Sequence, residues 1–243
     1  IINPVVIQSE ANVEVGAGIT AEWAGVVSGA GTFGKTGSGA LVLSANNLHA
    51  GTTNISAGTL AIKNGGKLPS PTIKLDGGVL DVTAATTTYS TAAGQTIAST
   101  ANGGSIVGNF IHDEGTLSPG GLAAAGTINA TGSFDISGGT VLYSTSPSLV
   151  SGNDLINVTG ATAVSGSAVV AVDPANGIAS GAYTVLTASG GVTGDVSGWS
   201  VDTSAYQPGS AGTVSISGNN LLLNLSLAPA SALNWAGTTS GIW

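Results

Sequence analysis

Apolar residues in this chain come in pairs two positions apart. GALVLSA from Gly39, GTLAIKN from Gly58 and GVLDVTA from Gly78 set Leu41 with Leu43, Leu60 with Ile62 and Leu80 with Val82, leaving Val42, Ala61 and Asp81 in between. Strand side chains alternate between two faces, so each pair turns to one side and the mixed residues between them to the other. The three glycines stand 19 and then 20 residues apart. A shorter apolar signal falls between these strands, at Ile55 and then at Ile73 and Leu75, again at a spacing near 20. Each period therefore predicts at least two short strands divided by Gly, Asn, Ser and Thr.

A period near 20 predicts stacked coils, because one coil cannot bury enough apolar surface to offset the entropy of ordering it. The same texture continues with looser spacing through GTINATGSFDISGGTVLYS (126–144), NDLINVTG (153–160), SAVVAVD (167–173), AYTVLTA (182–188) and TVSISGNNLLLNLSL (213–227). These also read as strands. No window sustains a 3.6-residue period, and glycine recurs too often for helices of ordinary length. The expectation is an all-β, parallel β-helix (a solenoid) with coils of about 20 residues. At ~4.8 Å per coil, about 12 coils would make a rod of roughly 60 Å.

Composition narrows the function classes. Hydrophobic residues make up 42%, enough for a core despite 39 glycines. The formal net charge is −8, and the basic residues are four lysines (Lys35, Lys63, Lys67, Lys74) with no arginine. A nucleic-acid partner is not expected, since phosphate backbones are bound by Lys and Arg that displace counterions. There is no cysteine, which removes disulfides and thiol chemistry and suits a chain exported unfolded. The opening IINPVV has neither Met nor a basic leader, so the expectation is a mature or excised segment. No apolar run reaches membrane-helix length, and 5% aromatic content offers no girdles for an outer-membrane barrel, so membrane insertion by this segment is not expected.

GAGTFGKTGSGALVLSANNLHAGTTNISAGTLAI, residues 29–62, closely resembles the autotransporter-associated β-strand repeat: a glycine-rich lead-in, a G-x-L-x-L strand, an Asn-rich turn, a G-T-T strand and an S-A-G-T-L-x-I strand. His49 and Ala50 depart from the usual turn residues. GTLSPGG (115–121), NDLINVTG and GAYTVL (181–186) are similar to motifs recurring downstream in passengers of that family. The resemblance implies a right-handed parallel β-helix at a bacterial surface, with a scaffold or adhesive role. Residues 1–232 are expected to form one β-helix segment. LNWAGTTSGIW, 233–243, resembles the start of a following repeat unit, and the C-terminal end of the segment is expected to be a bare coil.

Several residues invite chemical readings. Gly29 through Lys35 and Thr36 satisfy G-x-x-x-x-G-K-[ST], the phosphate-cradling loop, with Asp173 closing a strand that imitates its acidic partner. Such a loop needs a helix after Thr36 to supply aligned amides, and GSGALVLSANN reads as a strand. His112, Asp113 and Glu114 form the densest polar cluster, yet adjacent strand residues face opposite ways, so a solvated loop is the expectation over a metal site. A glycosidase would need two nearby carboxylates, and stacking could bring together any outward pair such as Asp76 and Asp81, but no acid and base stand out as partners. Trp23, Trp199, Trp235, Trp243 and Tyr206 would stack sugars if exposed, but such residues more often plug a coil.

No residue is singled out as catalytic, cofactor-binding or metal-binding, and no cofactor is expected. The reading is a non-enzymatic, extracellular, surface-attached or fibre-forming segment, secreted and acting as a stiff spacer or adhesin. Its partners would be neighbouring copies or repeats joined end to end, and host or matrix glycans. The alternative is a carbohydrate-active (lyase- or glycosidase-like) or glycan-binding β-helix.

Overall fold

The structure, a computed structural model, describes residues 1–121, 124–173 and 177–229. The unit expected at 233–243 lies outside them. Every regular element among the described residues is a strand. The strands sort onto three faces of one column. Face I is a nine-stranded parallel sheet running from Ala11–Glu14 to Ser200–Asp202. Face II stacks eight parallel strands from Thr20–Trp23 to Gly181–Ala188 and then adds two antiparallel ones. Face III consists of a three-stranded and a five-stranded parallel sheet. The molecule is a parallel β-solenoid.

The apolar pairs read from the sequence stack as expected. Leu41 lies over Leu60, which lies over Leu80 and then Ile106, and all four are fully buried. Face I contributes Ile55, Ile73, Ile97, Leu117, Val141 and Val170 to the same interior, and face III adds Phe110, Phe134 and Val164. Rings stack inside too: Phe110 sits 5.8 Å from Tyr89 and 5.0 Å from Phe134, centroid to centroid, each pair 19° from coplanar. Dispersion and burial thus act along the column axis as well as across it.

Coil length is not constant. Face I pairs Phe33 with Thr53 and Thr53 with Ile73, steps of 20, but Val141 with Val170 and Val170 with Val201, steps of 29 and 31. In the step of 29 the corner between faces I and II accounts for most of the growth, taking three residues at 37–39 and ten at 145–154. In the step of 31 the eight-residue strand Gly181–Ala188 adds to it. Nine rungs on face I, at ~4.8 Å each, make a column of about 40 Å, shorter than a uniform period predicts.

The ends differ. At the first coil, Val5, Ala11, Val13, Ala21 and Trp23 pack on the core but are only partly buried, and the strands there have a neighbour on one side alone. The far end is not the bare coil expected. Asn220–Ser226 pairs antiparallel with Gly181–Ala188, and Ala211–Ser217 pairs antiparallel with Asn220–Ser226. Val214 and Ile216 pack against the core, and Gly212 lies against Val201, so the hairpin closes the column. Gly218, at φ 57°, opens the two-residue turn between Ser217 and Asn220, a tight hairpin signal that the strand pattern alone conceals.

Candidate functional site

The phosphate-loop segment is a rung. Val27–Gly29 lies on face III, Phe33–Thr36 on face I and Ala40–Leu43 on face II, with no helix after Thr36. Lys35 is in register with Val13 below and Ile55 above, and its side chain is fully buried. Its Nζ donates to the backbone carbonyls of Thr36 (2.6 Å), Gly37 (2.8 Å) and Ala57 (3.2 Å). The ammonium therefore ties one corner to the next, and burial lowers its pKa. Lys35→Met keeps the stem but strips three carbonyls of their donor. It should cost about 1–3 kcal/mol in urea denaturation.

Both histidines are interior, each near the end of a face III strand. His49 Nε2 donates to the Gly31 carbonyl at 2.6 Å, which leaves Nδ1 to accept from Ser70 Oγ at 3.1 Å, and Thr53 Oγ1 lies 2.6 Å from Ser70 Oγ. His112 repeats the arrangement, with Nε2 on the Thr140 carbonyl at 3.1 Å and Nδ1 beside Thr91 Oγ1 at 3.2 Å. A serine beside a histidine invites a nucleophile reading. Here Ser70 and Thr53 are fully buried and His49 is 1% exposed, so the trio fills the polar part of a rung with no path for a substrate.

His112, Asp113 and Glu114 do not converge. His112 points inward, while Asp113 and Glu114 are exposed, and Asp113 accepts a hydrogen bond from Ser137 Oγ at 2.9 Å. Among the described residues no three His, Cys, Asp or Glu side chains cluster as metal ligands. Asp76 follows a face I strand and accepts from Thr100 Oγ1 (2.5 Å) and Asn102 Nδ2 (2.7 Å), which hold its carboxyl below the usual range. Asp81 lies on face II and accepts from Thr83 Oγ1 at 2.6 Å. Each carboxylate is engaged locally, on a different face. Trp23, Trp199 and Tyr206 pack against the core, and Trp199 Nε1 donates to the Ser165 carbonyl. Trp235 and Trp243 lie outside the described residues.

One ionisable group had no sequence signal. Asp154 closes the long corner, 1% exposed, with its carboxylate accepting from the backbone N–H groups of Gly126 (2.9 Å) and Ser144 (2.8 Å). Burial outweighs these bonds and pushes its pKa up to about 6, whereas burial pushes that of His112 down to about 4. The two act oppositely on stability. Below pH 6.5 an unfolded chain protonates His112 before the folded one, so its contribution is lost as pH falls from 6.5 to 4. The folded state protonates Asp154 first, so stability is gained as pH falls from about 6 to 3.8. Each amounts to about 3 kcal/mol, and they nearly cancel. His112→Gln should therefore gain about 3 kcal/mol relative to the parent chain between pH 6.5 and pH 4, read from urea midpoints at each pH.

The outer faces carry small polar residues in register. Thr72, Thr96, Thr116 and Thr140 form a column on face I, and Ser105, Asn129 and Asn157 follow one another on face II, with Asn157 Nδ2 donating to Asn129 Oδ1 at 3.2 Å. Residues 33–62, which hold two face I and two face II strand segments, match the family model of the passenger-associated-transport-repeat. That stretch is similar to a passenger repeat of autotransporter type. No curated protein matches the chain. The match begins at Phe33 and ends at Ile62, both buried in the column. Lys35 falls inside it, which makes the resemblance to a nucleotide loop a by-product of a glycine-rich passenger repeat.

Proposed function

We propose that this chain is a non-catalytic structural segment of an extracellular bacterial surface protein, a stiff β-helical spacer between parts that make contacts. The continuous ladder of nine rungs on face I carries this reading, together with the passenger repeat at 33–62, a structural repeat rather than an enzyme family. A column whose rungs share backbone hydrogen bonds and an apolar interior resists local opening, which suits exposure to proteases. Faces of Thr, Ser and Asn give a solvated exterior. The corner at 145–154, with Val150 93% exposed at its tip, is the part best placed for adhesion. End-to-end contact with neighbouring repeats would use the first coil, whose strands lack a second neighbour.

The test has two readouts on the producing cells and the purified chain. Antibody labelling and protease shaving of intact bacteria should find the segment outside, and a glycan array should return background. A cytoplasmic location overturns the spacer reading, and saturable binding to one glycan class replaces it with the glycan-binding alternative.

A further inference from the structure

Among the described residues, the free strand edges are not alike. Three on the first coil are short, Val5–Val6, Ala11–Glu14 and Thr20–Trp23, and the two longer ones carry Glu14 and Glu22. On the last coil, Ser200–Asp202 contains Asp202, and Val192–Gly194 is followed by Asp195. Short length and charge are the usual protections of an edge against pairing with another chain. Ala211–Ser217 has neither. It is the outermost strand of the ten-stranded sheet, seven residues long, and its sequence AGTVSIS has no charge and no proline. Its pairing with Asn220–Ser226 runs without a register shift, so no bulge twists the edge away.

We propose that this edge is an interaction surface for a second copy of the same chain, the two Ala211–Ser217 strands pairing antiparallel about a two-fold axis at Val214. An antiparallel edge is self-complementary under such an axis, which a rung edge built for parallel neighbours is not. Ala211 meets Ser217, Gly212 meets Ile216 and Thr213 meets Ser215. The outward residues are small and uncharged, so nothing on this strand repels its copy, in a chain whose net charge is −8. Val214 and Ile216 stay turned onto the core of their own column. The result is a dimer with a sheet continuous through both hairpins, and not a fibre, because a two-fold contact closes on itself.

Sedimentation equilibrium of the 243-residue chain over a range of concentrations tests this. The parent chain should show a reversible monomer–dimer equilibrium, and a chain that stays monomeric throughout overturns the proposal. The double variant Thr213→Lys with Ser217→Lys alters exposed positions only and lowers the net negative charge, which by itself would favour association. It should nevertheless raise the dissociation constant at least roughly tenfold, with an unchanged circular dichroism spectrum. Val6→Lys, on the first coil, should leave the constant as it was. If Val6→Lys abolishes the dimer and the double variant does not, the contact lies at the other end and the proposal fails. This test does not depend on cell-surface location or glycan binding.

Discussion

Phe110→Ala should be the most damaging truncation in the column, costing about 3–5 kcal/mol and shifting the urea midpoint accordingly. Its ring is fully buried and lies between Tyr89 and Phe134 at 5.8 and 5.0 Å. Removing it takes away a stacked neighbour from two coils at once. The rungs above and below cannot collapse into the space, because the ladder on face III holds Tyr89, Phe110 and Phe134 in register. Leu142→Ala is a suitable comparison: Leu142 lies on the outward side of face I, between buried Val141 and Tyr143, and a loss near 0.5 kcal/mol is expected there. Equal losses at the two sites would mean that stacking through the interior does not hold the rungs together.

Gly51→Ala should cost at least about 3 kcal/mol, an unusual effect for the addition of one methyl group. Gly51 is buried at a corner, and a Cβ built on it would overlap the carbonyl oxygen of Gly31 on the rung below. Backbone cannot yield as a side-chain end can, since Ala50 N already donates to the Gly29 carbonyl at 2.8 Å. Gly65→Ala supplies the contrast: nothing lies within 4 Å of its Cβ position, so its midpoint should stay within about 0.5 kcal/mol of the parent. Thermal and urea unfolding of the two variants side by side decide whether rung spacing, rather than glycine content as such, sets the tolerance.

How much could be read beforehand follows from which forces are local. The pairs Leu41/Leu43, Leu60/Ile62 and Leu80/Val82 announced both strand and period, because alternation is written within a few residues and stacking repeats it. The interior polar residues were not legible. Lys35 stands at an inward position by parity, two after Phe33, but only the fold reveals carbonyls from Thr36, Gly37 and Ala57 around its Nζ. His49 and Ser70 are 21 residues apart, one coil, so their contact appears only when the register is known. The longer late coils were hidden for a similar reason. Corner residues carry no alternation, and 145–154 is held by Asp154, whose N–H partners come from Gly126 and Ser144. The closing hairpin had a local cue in SGNN, which the expectation of uniform coils masked.

The unlike termini of the column give it a direction in unfolding. Each rung leans chiefly on the two beside it, and the coil bearing Ala11 and Trp23 has only one such support, while at the opposite mouth the hairpin covers Gly181–Ala188 and packs Val214 and Ile216 against the core. Heat, denaturant or a protease should therefore peel this rod like a zip from its Val5–Trp23 coil. Amide protons near Leu221 and Leu223 would be the last to exchange.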